Sequence, residues 1–366
     1  MTLTLGTAQA ERGKITYGEY DLVRHPVGGM DKLPVIIALG KEDGPVFWIT
    51  AGIHGVEHAG IQVIHRLISP ELVNDLRGTI VAIPALNPAG LRTLERRAYY
   101  DDTDPNRLFP DGRPPKTDDP DKAPPSALEQ AYGRLFEEIK KSASFFFDLH
   151  CISVGSLSFV FRDRVLYRKG DEAGRQRAEA VSMKMEEMAR AYSHTITADF
   201  SVGKYIDEKL HRATTASIAM LAGIPALTAE LSSNYTPATA TVNASMSGLR
   251  NVMRWAGMLP GAPEPITGIK VVDPGFPTRR RSVARVTEAC IVHHLIEPGG
   301  LVRTGDPLVE MRDAWGRVLG VLRSEYDGFV ISCPQGILYY PGEASVLLAI
   351  RDDEPLVGEY PADFFD

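Results

Sequence analysis

The sequence has little from which to build a covalently stapled or membrane-anchored protein. It holds only 3 cysteines in 366 residues, and Cys151, Cys290 and Cys333 lie too far apart for a Cys-x-x-Cys metal or redox motif. A disulfide framework is therefore excluded. No uninterrupted run of about 18 apolar residues occurs. The opening stretch, MTLTLGTAQAERGKITYGEY, has neither a basic n-region nor a continuous apolar segment. The expectation is a cytoplasmic, unprocessed chain that does not span a membrane. Positive charge is not in excess either: 40 Lys and Arg against 47 Asp and Glu leave a net charge of −7. Without a domain-wide basic field, nucleic acid is not an expected partner.

What is present is an ordinary globular composition, 44% hydrophobic and 24% charged, in a chain long enough for about two domains. Apolar runs at 33–39 (LPVIIAL) and 45–50 (PVFWIT) read as two strands joined by a tight turn, and 79–83 (TIVAI) and 144–149 (SFFFDL) as further buried strands. Residues 57–68 and 126–141 carry apolar side chains at helical spacing, the second opened by Ser126 as N-cap with Glu129 completing a capping box. Further on, 171–192 reads as a helix, 224–230 as a buried strand, and 237–256 as a helix with Pro237 in its first turn. This alternation predicts an α/β fold. The Pro- and Asp-rich stretch 101–125 is too irregular for helix or strand; so long a loop in a compact domain is usually either functional or disordered, and it is a place to search for ligands. After the Pro- and Gly-containing segment 259–278, short β-type runs are broken by a turn every dozen residues or so, which indicates a small all-β module. Arg279 to Arg281 read as a solvated cationic loop.

The chemistry concentrates in WITAGIHGVEHAG, residues 48–60, where a strand runs into a Gly-rich turn and then a helix. His54 and Glu57, three apart, can present a nitrogen and a carboxylate oxygen to one point, half of a zinc site. The same letters also spell His-x-x-Glu-His, a pattern in which His54 and His58 bind zinc and Glu57 is the base. On these letters alone both readings stand. Residues FFFDL lead to His150, 93 residues beyond Glu57, at the end of a hydrophobic strand. Ligands collect at such strand ends in parallel sheets, and Asp148 on the same strand face can either orient His150 or serve a loop amide. Cys151, facing the other way, reads as a small buried hydrophobe.

GIHGVEHAG, ALNPAG at 85–90, DPNRLFP at 104–110, FFFDLH at 145–150 and IPALTAE at 224–230 together resemble the succinylglutamate desuccinylase and aspartoacylase family of the zinc carboxypeptidase-like superfamily. The resemblance runs, in order, through most of residues 45–256. It implies a mixed sheet flanked by helices, with residues 1–265 forming a zinc-dependent catalytic domain and 266–366 a smaller all-β domain over the active-site mouth. It favours His54, Glu57 and His150 as ligands of one zinc ion per chain, and makes Glu230 the general base for a zinc-activated water. It assigns Asn106 and Arg107 to substrate binding and an upstream arginine, Arg97 ahead of Arg96, to the oxyanion. Tyr339 or Tyr340 of the C-terminal module is expected to reach the substrate. The activity implied is hydrolysis of the amide of an N-acylated amino acid or similar small amide. A carboxypeptidase acting on short peptides and a non-catalytic small-molecule-binding homologue are the alternatives. A small anionic substrate is the expected partner, held in a pocket built from loops such as 151–170 and 231–236, and the chain is a candidate homo-oligomer.

Overall fold

The computed structural model describes residues 3–113, 124–232, 235–334 and 336–365. An eight-stranded mixed sheet forms its centre: β1 (Lys14–Arg24), β2 (Met30–Leu39), β3 (Glu42–Ala51), β4 (Arg77–Ile83), β5 (Phe145–Ile152), β6 (Phe159–Phe161), β7 (Thr195–Thr197) and β8 (Ala226–Ser232). The order across the sheet is β7-β6-β8-β5-β3-β4-β2-β1. The middle four, β8, β5, β3 and β4, are mutually parallel. They are continuous apolar runs because both faces of a parallel sheet are covered. Ile49, Phe147, Leu227 and Val81, for example, are all fully buried.

The two runs at 33–39 and 45–50 are strands, but they do not form a hairpin. Strand β4 lies between them, antiparallel to β2 and parallel to β3. A short connection between apolar runs says nothing about which edge is left for a later strand. Helix Thr239–Trp255 packs on both Ala59–Leu67 and Glu172–Tyr192, and Ala127–Ser142 packs against β1. Ser126 Oγ caps that last helix by accepting from the Glu129 N–H at 3.1 Å. The Glu129 carboxylate pairs with Arg212 at 2.5 Å instead of closing a capping box. Pro237 falls just outside its helix, which begins at Thr239 after Ala238.

Beyond Met258 the chain forms two four-stranded antiparallel sheets, one of them containing β9 (Thr278–Arg285). They close on their own core, including Val292, Leu308, Val330 and Leu348. The chain then returns to the first region. Val357–Glu359 pairs in parallel with Val165–Tyr167, and Tyr360 and Phe364 bury against Leu166. Among the described residues, no helix is long and apolar enough to cross a membrane.

Candidate active site and metal centre

The central parallel strands end side by side, and their register places the polar residues. Thr50 on β3 stands beside Asp148 on β5, and His150 beside Glu230 on β8. Because side chains alternate faces along a strand, Asp148, His150, Thr228 and Glu230 share one face. After β3 the chain must turn sharply, and Gly52 takes a left-handed φ of 68° to do so. The ALNPAG segment braces the turn: Asn87 donates from Nδ2 to the Ile53 carbonyl at 3.2 Å and from its N–H to the Gly52 carbonyl at 3.0 Å. Gly60 lets the following helix settle on the sheet, since a Cβ there would lie 2.7 Å from Leu149 Cβ.

His54, Glu57 and His150 converge, all buried, with one potential ligand atom each within 4.8 Å of the others. His54 Nδ1 is 2.7 Å from Glu57 Oε1, and His150 Nδ1 is 3.1 Å from Glu57 Oε2. Each imidazole turns its other nitrogen to a carboxylate, His54 Nε2 to Asp104 at 3.1 Å and His150 Nε2 to Asp148 at 3.0 Å. Asp148 is itself fixed by the Thr50 hydroxyl, which donates to it at 2.7 Å. These carboxylates set which nitrogen faces the centre. The Cys151 N–H donates to Glu57 Oε2 at 3.0 Å, so Cys151 contributes its backbone while its side chain is buried. His58 is elsewhere: its Nε2 bonds the Gly55 carbonyl at 3.1 Å and its ring meets Tyr235 edge-on.

Burial disfavours the charged form of every member, yet their mutual attraction wins. Glu57 is held below the usual carboxylate range by His54 and His150. Asp104 is held low by His54 and Arg96. His54 is raised chiefly by Glu57, and His150 by Asp148 and Glu57. Two imidazole nitrogens and a carboxylate oxygen, each oriented from behind, are a donor set that suits zinc and leaves a coordination position open.

Around this centre lies a cavity of about 230 Å³, lined in part by Arg96, Asn106, Arg107 and Glu230. Burial pushes the Glu230 carboxyl up to about 7, against the pull of His150. Asn106 and Arg107 sit in a single turn opened by Asp104, whose Oδ1 accepts the Asn106 N–H at 2.9 Å. Asn106 Oδ1 anchors Thr214, and Arg107 Nε donates to the Glu208 carbonyl at 2.8 Å.

The arginine beside the centre is Arg96, 3.7 Å from Glu57 and paired with Asp104 at 2.8 Å. Arg97 is exposed and does not line the cavity. Neither tyrosine of the C-terminal module lines it either: Tyr339 packs into that module's core and Tyr340 points to solvent. The module reaches the cavity through Arg280 instead. Far from a solvated loop, Arg280 is on β9, stacked over Phe161 and Phe200 and bonded to Asp199 through Nε and Nη2 at 2.5 and 3.0 Å. Strand alternation in TRRRSVAR is the one signal that separates Arg280 from its neighbours. Asp163, Asp199, Thr215 and Thr228 also line the cavity, with no spacing in the sequence that marks them, and Asp104 meets His54 behind it. From loop 151–170 the cavity takes Cys151, Ile152, Phe159, Phe161 and Asp163; in loop 231–236, residues 233 and 234 lie outside the described residues.

A mixed α/β sheet with a His-Glu-His cluster and a glutamate at its strand ends, followed by an antiparallel β region, defines the class. Residues 43–255 match the model of the succinylglutamate desuccinylase/aspartoacylase catalytic domain, more than half of the chain, and the protein belongs to that family. Among solved structures, the chain resembles a succinylglutamate desuccinylase/aspartoacylase from Rhodobacter sphaeroides, with 19% identity, TM-score 0.68, and coverage of 93% of this chain and 96% of that one. It also resembles the product-bound ectoine utilization protein EutE (DoeB) from Ruegeria pomeroyi, with 18% identity, TM-score 0.70, and coverage of 92% and 94%. At such identities the likeness is one of fold. A curated relative, the N-alpha-acetyl-L-2,4-diaminobutyric acid deacetylase of Halomonas elongata, is 29% identical over 82 residues. That match spans 22% of this chain and 24% of the relative.

Proposed function

We propose that the protein is a zinc-dependent deacylase that hydrolyses the amide bond of a small N-acylated amino acid. The observation that carries this reading is the convergence of His54, Glu57 and His150 beside Glu230 in one small cavity. Family membership and the deacetylase relative support the reaction class. Zinc held by those three residues would supply a Lewis acid that polarises a carbonyl and acidifies water. Glu230, with its pKa near working pH, takes the proton of the attacking water and passes it to the leaving amine. Arg96, beside Glu57, is placed to stabilise the tetrahedral oxyanion, in preference to Arg97. Arg107 with Asn106 receives a substrate carboxylate. A cavity of about 230 Å³ suits a small amide better than a peptide chain.

The test is to measure metal content and the hydrolysis of N-acetyl and N-succinyl amino acids by the wild type beside Glu230→Ala. One zinc per chain, with hydrolysis in the wild type alone, is expected. Protein that takes up no zinc, or activity unaltered by the substitution, would overturn the mechanism.

A further inference from the structure

A second cavity, of about 190 Å³, shares only Arg280 with the lining of the active cavity. Its walls come from β9 and from the start of the short helix Val202–Asp207. Five cations line it, Lys204, Arg279, Arg280, Arg281 and Arg285, and no acidic side chain does. In a chain of net charge −7 this is a local reversal of sign. Two of the five are neutralised by acids outside the lining: Arg280 by Asp199, and Arg279 by Asp352 at 3.4 Å. Among the described residues the other three have no ion pair. Lys204 rests on Phe200, 3.8 Å from the ring centroid, and Arg281 on Tyr326 at 4.6 Å, while Arg285 Nη1 donates to the Gly342 carbonyl at 2.6 Å. Aromatic faces and a carbonyl hold these cations in place without cancelling their charge. Ser201 and Ser282 add two hydroxyls that have no hydrogen-bond partner among the described residues. Just before Arg285, Ala284 takes a left-handed φ of 52°. That conformation is uncommon for a residue with a Cβ, and such strain gathers at binding sites.

Like charges crowded around one space repel, and an anion placed between them turns the repulsion into attraction. A single carboxylate would offset one of the three unpaired cations. A phosphate dianion offsets two, fits guanidinium forks, and has oxygens left to accept from both hydroxyls. We propose that this cavity is an anion-binding site, separate from the active cavity, that takes a phosphate group, either as the free ion or as a small phosphomonoester. The inference goes beyond the deacylase reading and stands or falls apart from it, since it requires neither zinc nor turnover.

The experiment is calorimetry on the full chain in a chloride buffer of constant ionic strength, with inorganic phosphate, glycerol 3-phosphate and acetate as probes. Wild type is compared with Lys204→Gln and Arg281→Gln, and with Arg107→Gln as a control for phosphate entering the active cavity. Phosphate is expected to bind wild type at least about 10-fold more tightly than acetate. Lys204→Gln and Arg281→Gln should each weaken it by about 10-fold or more, the worth of one hydrogen bond to a charged group, and Arg107→Gln should leave it unchanged. Lys204 is exposed, so its variant reports on binding even if Arg281→Gln loses stability, and unfolding midpoints without phosphate check both. Glycerol 3-phosphate that binds as tightly as the free ion assigns the site to an ester; its exclusion assigns it to the free ion. Wild type that binds no phosphate, or binds acetate equally well, would overturn the proposal. So would phosphate binding that is lost in Arg107→Gln and kept in the other two variants.

Discussion

Glu230 and Asp163 are two carboxyls in one cavity, both pushed up to about 7 by burial, yet they answer to different partners. Glu230 stands beside His150 in strand register. Glu230→Gln is expected to lower kcat by about 10²- to 10⁴-fold while zinc content, read by atomic emission, stays at the wild-type level. Asp148 holds the outer nitrogen of His150 behind the proposed zinc site, so Asp148→Asn should weaken zinc binding by about 10- to 100-fold, measured by competition with a chromogenic chelator. For Asp163 the native pKa lies above the unfolded one. The folded state therefore binds more protons, and its stability falls as pH rises from about 4 through 7. Asp163→Asn removes that loss. Its advantage over wild type in denaturant unfolding should reach about 2–4 kcal/mol at pH 8 and vanish below pH 4. At this scale the clustering of His54, Glu57 and His150 was legible because its parts are local: His54 and Glu57 share a turn, and His150 ends an apolar strand. Asp104 was harder to read, since its role depends on a loop folding back over His54, which no periodicity records.

At the scale of elements, strands and helices could be read from apolar spacing, while their neighbours could not. Strand β4 enters between β2 and β3 because pairing depends on the finished sheet, and the runs at 33–39 and 45–50 carry no mark of it. The same limit applies to the C-terminal module. Tyr339 has the chemistry to touch a substrate but packs into its own core, whereas alternation along β9 aims Arg280 at the cavity. Element packing also sets the metal centre. Gly60 allows the helix after Glu57 to lie on Ala51 and Leu149, where a Cβ would come within 2.9 and 2.7 Å. Gly60→Val should cost about 1–3 kcal/mol in thermal unfolding and lower zinc affinity by displacing Glu57; an unchanged midpoint would show that the helix has room to shift.

At the scale of the molecule, the two regions meet at charged seams. Arg280 crosses from the β module to Asp199, and the fully buried Arg164 holds Asp352 at 3.1 Å. A double-mutant cycle on Arg280→Gln and Asp199→Asn should return a coupling of about 1–3 kcal/mol in denaturant unfolding; additive effects would mean that this pair does not help to hold the two regions together. The return of Val357–Glu359 to pair with Val165–Tyr167 has a consequence in time as well as in space. Asp163 sits two residues before that paired strand, so the wall that bears it gains its last support only when residues near 359 have left the ribosome. His54, Glu57 and His150, which could hold a metal ion, are all made by residue 150. The emerging chain therefore carries the whole His-Glu-His cluster before it carries either Glu230 or the strand that closes the wall beside Asp163.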